Sequence, residues 1–126
     1  DMIRAALPHL RIIRAVIVTG PDAVARAQML QGRVDALILD SFDPETGRRG
    51  ATGCTHDWTV SRAIVESVRK PVILAGGLTA RNVTAAIEQV RPWAVDVHTG
   101  VERPDGSRDF AEIERFIAAV HAARPD

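Results

Sequence analysis

Residues 71–83 read PVILAGGLTARNV, an apolar run followed by a glycine pair and the start of a helix. The run 72–75 is typical of a strand that is buried on both faces, as strands of parallel sheets are. Thr79 is placed to cap a helix over residues 80–91. Because glycine amides approach an anion closely and a helix N-terminus carries partial positive charge, the segment predicts an anion site. A glycine pair by itself more often marks a tight turn with positive φ, so the choice between a turn and an anion site depends on the rest of the sequence.

The composition is that of one small globular domain. The chain has 126 residues, of which 46% are hydrophobic and 25% charged, enough for a single core. Its 16 Lys and Arg balance 16 Asp and Glu, so we expect neither nucleic acid nor a membrane surface as a partner. The single cysteine, Cys54, excludes an internal disulfide and fits a reducing compartment. No apolar run is long enough to span a bilayer, and we expect a cytoplasmic protein.

Strand and helix patterns alternate along the chain and predict four β–α units. Strands are predicted at residues 11–18, 34–39, 72–75 and 94–97. Helices are predicted after them at residues 23–30, 60–68, 80–91 and from Asp109 onward. Asp57 or Thr59 is expected to cap the second of these helices. Units of this length pair their strands in parallel and pack helices against the sheet, so the predicted fold class is α/β.

Polar and glycine residues follow each predicted strand directly. They are Thr19-Gly20, Asp40-Ser41, Gly76-Gly77 and Thr99-Gly100. Because the carboxyl ends of parallel strands lie along one edge of a sheet, these residues are expected to share a binding site. A polar loop from Ser41 to Asp57 follows the second strand, and its length is typical of a binding loop or a lid.

Four motifs, taken in order, resemble the phosphoribosylanthranilate isomerase family, a (βα)8 TIM barrel of tryptophan biosynthesis. The motifs are LDS at 39–41, GATGCTHDW at 50–58, LAGGL at 74–78 with NV at 82–83, and VDVHTGVE at 95–102. They extend over nearly the whole chain, but they match only the last four of the family's eight β–α units. The resemblance therefore implies that residues 1–126 are the C-terminal half of a single TIM-barrel domain, from its fifth strand to its eighth helix.

Four units cannot close a barrel, because the two outer strands would keep open edges and one sheet face would lack its opposite wall. The resemblance thus implies that a missing N-terminal half-barrel, or a second copy of the chain, completes the site. Residues 1–7 read as the tail of a helix already under way, which favours the missing half. The 126-residue chain alone is predicted to be inactive.

The implied activity is the Amadori rearrangement of a phosphoribosyl aminoaldose, N-(5'-phosphoribosyl)anthranilate, to an aminoketose, with neither a metal nor an organic cofactor. A proton must reach the furanose ring oxygen, and another must leave C2′. Asp40 matches the family's general acid, and its alternative role is an ordinary turn cap. The family's base is a cysteine after the first strand, which this chain does not contain. Cys54 lies in a different loop and is interpreted as a partly buried thiol.

The binding residues also follow from the resemblance. Phosphate is expected at the amides of Gly76 and Gly77, together with those of Thr99 and Gly100, since barrels of this type bind phosphate between strands seven and eight. Gly53 matches a glycine of the family's lid loop.

Asp96 matches a position that helps to hold the anthranilate end of the substrate. The alternative is a buried carboxylate paired with an arginine such as Arg14. The chain also departs from the family pattern, because His98-Thr99 stands where two serines are usual and Ala51 replaces a glycine of the loop.

Two other functions fit part of this pattern. A histidine-pathway isomerase is a related sugar-phosphate barrel, but it uses two carboxylates, and only Asp40 lies at a suitable strand end. A non-catalytic phosphate-binding module is the second, with His98-Thr99 as its mark. Cys54 and His56 together are too few ligands to predict a metal site.

Overall fold

The structure, a computed structural model, describes residues 2–47, 50 and 54–123 and consists of parallel strands alternating with helices. The strands are β1 (Ile13–Ile17), β2 (Ala36–Asp40), β3 (Val72–Leu74) and β4 (Ala94–Val95). The α-helices are α1 (Met2–Ala6), α2 (Asp22–Leu30), α3 (Trp58–Ser67), α4 (Val83–Val90) and α5 (Phe110–Ala122). Short 3₁₀ turns at Gln31–Arg33 and Thr99–Val101 come after α2 and β4. None of the helices in these ranges is long and apolar enough to cross a membrane.

The strands form one parallel sheet in the order β1-β2-β3-β4. Each strand neighbours the next one along the chain, and each connection between them carries a helix, which confirms the predicted α/β class. The register pairs Ile38 with Ala15 of β1 and with Ile73 of β3, and it pairs Ile73 with Ala94. Because side chains alternate between the two faces of a strand, these residues lie on the same face of the sheet.

The helices cover one face of the sheet, which we call the helix face. Its buried strand residues are Val16, Leu37, Leu39, Val72 and Leu74. The helices supply the other half of this core with Ala27, Ile64, Val83, Ala86 and Phe116. Helices α2, α3, α4 and α5 pack side by side in chain order, with their apolar sides toward the sheet, as amphipathic helices of an α/β layer do.

The other face, which we call the open face, is also apolar but less buried. It is formed by Ile13, Ala15, Ile17, Ala36, Ile38, Ile73 and Ala94. Ile13 is 56% exposed, and even Ile38 and Ile73, on the two central strands, are only partly buried. Parallel sheets normally have both faces covered. The described residues thus bury the helix face much more completely than the open face.

Two helix caps agree with the sequence. The Asp57 carboxylate accepts a hydrogen bond from the N–H of Thr59 at 2.9 Å, at the start of α3. Asp109 accepts from the N–H groups of Ala111 and Glu112 at 3.1 and 3.3 Å, at the start of α5. Both carboxylates satisfy N–H groups that the first turn of a helix leaves without a partner.

The cap predicted at Thr79 is wrong, because α4 begins only at Val83. The Asn82 side chain accepts from the N–H of Thr79 at 2.8 Å and donates to the carbonyl of Gly77 at 3.0 Å. The Thr79 hydroxyl accepts from the N–H of Arg81 at 3.2 Å. These bonds hold the segment before α4 in a turn, since Asn and Thr side chains compete with the helix for backbone groups.

Candidate active site

Two carboxylates stand at the carboxyl edge of the sheet, on the open face. Asp40 is the last residue of β2, and Asp96 follows β4. Beyond the short strands β3 and β4 the register continues, because the amide of Ala75 donates to Leu39 at 2.8 Å. The amide of Asp96 likewise donates to Leu74 at 2.9 Å. Asp40, Ala75 and Asp96 thus form one row across three strands, which places the two Asp backbones about 10 Å apart at a strand spacing of about 4.8 Å.

Asp96 is exposed, so the interpretation of it as a buried carboxylate is wrong. Its suggested partner Arg14 lies on β1, whereas β4 is at the other edge of the sheet. Arg14 also pairs in register with Leu37 and therefore lies on the helix face. Because the two side chains are on opposite faces and opposite edges, they do not form an ion pair. The side chain of Asp96 is therefore exposed at the same edge of the sheet as Asp40.

The loop that follows β2 folds back over Asp40. The Oδ1 atom of Asp40 accepts a hydrogen bond from the N–H of Ser41 at 2.8 Å. The amide of Gly50 donates to the carbonyl of Ser41 at 2.8 Å, and a Cβ on Gly50 would lie 2.8 Å from Oδ2 of Asp40. The predicted lid glycine, Gly53, and the neighbouring Ala51 lie outside the described residues. The carboxylate of Asp40 is therefore enclosed on the loop side by backbone.

The glycine pair after β3 is held in close contact with the same loop. Gly76 and Gly77 have φ values of 91° and 64°, a region that side-chain-bearing residues rarely adopt. A Cβ on Gly76 would lie 2.1 Å from the Oγ of Ser41, and one on Gly77 would lie 2.4 Å from the backbone of Cys54 and Thr55. Glycine is thus required at both positions by conformation and by the approach of the loop, which confirms the turn interpretation; the access of an anion to the two amides stays a prediction.

The turn after β4 lies directly against the segment that follows the glycine pair. A Cβ on Gly100 would lie 2.1 Å from the carbonyl oxygen of Leu78, which is the residue after Gly77. Thr99 begins the 3₁₀ turn and is partly buried. The Nδ1 atom of His98 lies 3.3 Å from Oε1 of Glu102. The structure thus brings the predicted phosphate residues of strands β3 and β4 together at one edge.

A buried polar chain that the sequence did not predict runs beside Asp40. The Oγ of Ser41 lies 2.9 Å from Nδ1 of His56, and Nε2 of His56 lies 2.6 Å from the Oγ of Ser61 on α3. Both serines are completely buried, at 0% exposure. The sequence pattern indicates His56 only as a partner of Cys54 for a metal. Cys54 itself is exposed, so its interpretation as a partly buried thiol is wrong. The available signal was Ser61, a polar residue on the apolar side of an amphipathic helix.

His56 is held toward its neutral form. Burial lowers the pKa of His56 below its ordinary value of 6.5, and the negative charges of Asp40 and Asp57 only partly oppose that shift. A neutral imidazole has one N–H donor and one acceptor nitrogen, which matches a serine hydroxyl on each side. Within the described ranges, no group of three or more His, Cys, Asp or Glu residues is arranged to hold a metal ion.

Comparison with known proteins points to one family. The family model for N-(5'phosphoribosyl)anthranilate (PRA) isomerase matches residues 1–119. The N-(5'-phosphoribosyl)anthranilate isomerase of Methanocella arvoryzae is 42% identical over 122 residues, which cover 97% of this chain and 56% of that protein. The chain thus spans little more than half the length of this relative.

Solved structures give the same result. Phosphoribosyl anthranilate isomerase from Thermotoga maritima superposes with a TM-score of 0.78 at 33% identity, over 96% of this chain and 56% of that one. A phosphoribosyl anthranilate isomerase in complex with reduced 1-(o-carboxyphenylamino)-1-deoxyribulose 5-phosphate gives a TM-score of 0.74 at 30% identity, over 96% and 54% of the two chains. The parallel sheet and its helices are therefore those of the isomerase structures.

Proposed function

Since this chain belongs to the N-(5'-phosphoribosyl)anthranilate isomerase family, we propose that the protein carrying it converts N-(5'-phosphoribosyl)anthranilate to the carboxyphenylamino-deoxyribulose phosphate in tryptophan biosynthesis. One observation carries the proposal beyond family membership. Asp40 and Asp96 stand in one row on the open face, at the edge where Gly77 lies against the backbone of Cys54 and Thr55 and Gly100 lies against Leu78. An acid group and an anion-binding group are thus available to the same small molecule.

We further propose that the chain forms the C-terminal four units of a closed (βα)8 barrel. The open face supports this, because Ile38 and Ile73, on its two central strands, are only partly buried by the described part of the chain. Its coverage of 56% of the length of the Methanocella relative supports it as well. An N-terminal half-barrel would cover the open face and pair with the outer strands β1 and β4. A second copy of the chain is the other partner that could do so.

Asp40 serves as the general acid of the proposed reaction. Its carboxylic acid gives a proton to the furanose ring oxygen, the bond from C1′ to that oxygen breaks, and an open-chain iminium forms. Loss of the C2′ proton to a base then gives an enolamine, which tautomerises to the aminoketose. The base comes from the part of the barrel that this chain lacks, and we expect it in a Lys-x-Cys-Gly segment after the first strand. A positioned acid contributes about 10²–10⁴-fold to such a step.

The phosphate of the substrate binds between β3 and β4. The amides of Gly76, Gly77 and Gly100, with Thr99, lie in the two adjoining turns, and glycine amides give an anion close access to the backbone. Asp96 stands two strands from Asp40 and is exposed, so it is free to accept the anilino N–H of the substrate. Gly53, outside the described residues, belongs to the loop that would close over the ligand.

The test is turnover of N-(5'-phosphoribosyl)anthranilate by the full-length protein and by its Asp40→Asn variant. We expect kcat to fall at least about 10²-fold, because the amide cannot donate the acid proton. Binding of the reduced deoxyribulose phosphate analogue should change little. Glu88→Gln, a carboxylate-to-amide change on the exposed side of α4, is the matched control and should keep full activity. Unchanged turnover in Asp40→Asn would remove Asp40 from the mechanism.

A second experiment tests the half-barrel proposal. The 126-residue chain should show no turnover, because the base is absent. Adding the N-terminal half-barrel as a separate polypeptide should restore it. Turnover by the chain alone would contradict the need for a base from the other half, and a molecular mass of two chains in that active sample would identify the second copy as the partner.

A further inference from the structure

We propose that His56 is a positioning residue for the proposed isomerase reaction, and that it acts by holding Ser41 in the place that orients Asp40. The inference rests on the proposed function, because it concerns the acid of that reaction. It is carried by the buried chain of hydrogen bonds from Ser41 through His56 to Ser61.

Ser41 connects His56 to the catalytic acid Asp40. Its N–H donates to Oδ1 of Asp40 at 2.8 Å. Its Oγ lies so close to Gly76 that a Cβ there would come within 2.1 Å of it. A shift of Ser41 would therefore move the hydrogen-bond donor of the acid and the contact with the glycine pair together. Since Ser41 is completely buried, the interior rather than water must hold its hydroxyl in place.

His56 is the group that holds this hydroxyl. Its Nδ1 lies 2.9 Å from the Oγ of Ser41. On the other side of the ring, Nε2 lies 2.6 Å from the Oγ of Ser61. Ser61 lies on α3, where its neighbours Val60 and Ile64 belong to the core. The ring thus connects a loop residue beside the acid to a rigid, buried part of the helix layer.

Burial favours the neutral ring, against the opposing negative charges of two nearby carboxylates. Asp40 at the end of β2 and Asp57 at the cap of α3 are the carboxylates that act on His56. Each already has backbone hydrogen-bond donors of its own, from Ser41 and Thr59 respectively. The imidazole therefore does its work through the two serine hydroxyls, and an uncharged side chain with the same hydrogen-bonding atom can replace it.

Two isosteric variants separate the two hydrogen bonds of His56. His56→Asn places an amide atom where Nδ1 lies and keeps the bond to Ser41, whereas His56→Gln reaches toward Ser61 and loses the bond to Ser41. We expect His56→Asn to keep kcat within about 3-fold of wild type, and His56→Gln to lower kcat by about 10-fold or more, because displacements of about 1 Å can cost up to about 10²-fold. KM should change by less than about 3-fold in both, since the glycine amides remain.

The measurement is kcat and KM of the full-length protein and both variants with N-(5'-phosphoribosyl)anthranilate, alongside the amide proton shift of Ser41 by NMR. His121→Asn, a change at an exposed site on the last turn of α5, is the control and should leave all three quantities unchanged. A role in stability alone would move both isosteres alike, and equal kcat values for them would overturn the proposal. A Ser41 amide shift that is the same in wild type and His56→Gln would overturn it too. A wild-type protein without turnover would instead refute the proposed function itself.

Discussion

The helix face and the open face of the sheet are built from the same kind of strand residue but have different surroundings. Leu74 on the helix face is completely buried, while its neighbour Ile73 on the open face is only partly buried. Both carboxylates of the candidate site follow the open face, and none of the buried strand residues on the helix face is charged. The packing on the helix face thus fixes the positions of the strands, and the open face carries the carboxylates of the candidate site.

Substitutions at the carboxyl edge of the sheet, where the glycine pair lies, are expected to have the largest effects on stability and turnover. Gly77→Ala would place a Cβ 2.4 Å from the backbone of Cys54 and Thr55 at a φ of 64°. Left-handed strain of about 1–2 kcal/mol and a clash of about 1–3 kcal/mol should add, for about 2–5 kcal/mol in all, and turnover should fall with stability. Urea unfolding measures the first and steady-state kinetics the second.

Gly106→Ala is the matched control for that substitution. Gly106 has a φ of 83°, but no heavy atom lies within 4 Å of the position of its added Cβ. Only the backbone strain of about 1–2 kcal/mol is expected, without loss of turnover. Equal losses of stability at the two glycines would show that close approach of the loop to Gly77 does not matter.

A pair of core truncations compares the two faces directly. Leu74→Ala should cost about 2–5 kcal/mol in the full-length protein and in the 126-residue chain alike, because the helix core of the chain surrounds that side chain. Ile73→Ala should be comparably costly only in the full-length protein, where the proposed second half-barrel covers it. Equal, small losses for Ile73→Ala in both proteins, measured by urea unfolding, would contradict the closed barrel.

A smaller effect is expected at the cap of α3, on the helix layer. Asp57→Ala removes the acceptor for the N–H of Thr59 and should lower the free energy of unfolding by about 1 kcal/mol. Asp57→Asn, which keeps a capping oxygen, should lose much less. Chemical denaturation of the three proteins checks this, and equal losses for Ala and Asn would assign the effect to charge rather than to capping.

The smallest effect is a pH dependence at His56. Its native pKa lies below the ordinary 6.5 because of burial, so as pH falls the unfolded chain takes up the proton first. Stability from this group is complete above about pH 6.5 and declines as pH falls from there toward the native pKa. His56→Asn should flatten that part of the unfolding profile. A profile that is the same with and without His56 would contradict the lowered pKa of this partly buried ring.

The sequence predicted what depends on local pattern and failed where distant segments meet. The four β–α units and the caps at Asp57 and Asp109 follow from periodicity and from polar residues at helix starts. Thr79 is a residue type that often caps helices, but its N–H donates to the side chain of Asn82, three positions later. Side-chain geometry within one turn decides whether such a residue caps a helix or bonds in a turn, and helix propensities do not contain that information.

The site itself was predicted in part. Strand ends placed Asp40 and the glycine pair correctly at one edge, because parallel topology requires it. The Arg14 alternative for Asp96 failed because the two residues lie at opposite edges and on opposite faces of the sheet, which residue type and charge alone do not take into account. The hydrogen bond between Ser41 and His56 joins the two ends of the β2–α3 loop. The sequence of a loop has no periodic pattern from which such a contact could be predicted.

The most direct test of the central claim is a crystal structure of the full-length protein with the reduced deoxyribulose phosphate analogue. We expect the ligand on the open face, with the oxygen derived from the furanose ring about 3 Å from the carboxylate of Asp40 and the phosphate at the amides of Gly77 and Gly100. A phosphate bound away from those two turns, or a ligand that leaves Asp40 without contact, would contradict it.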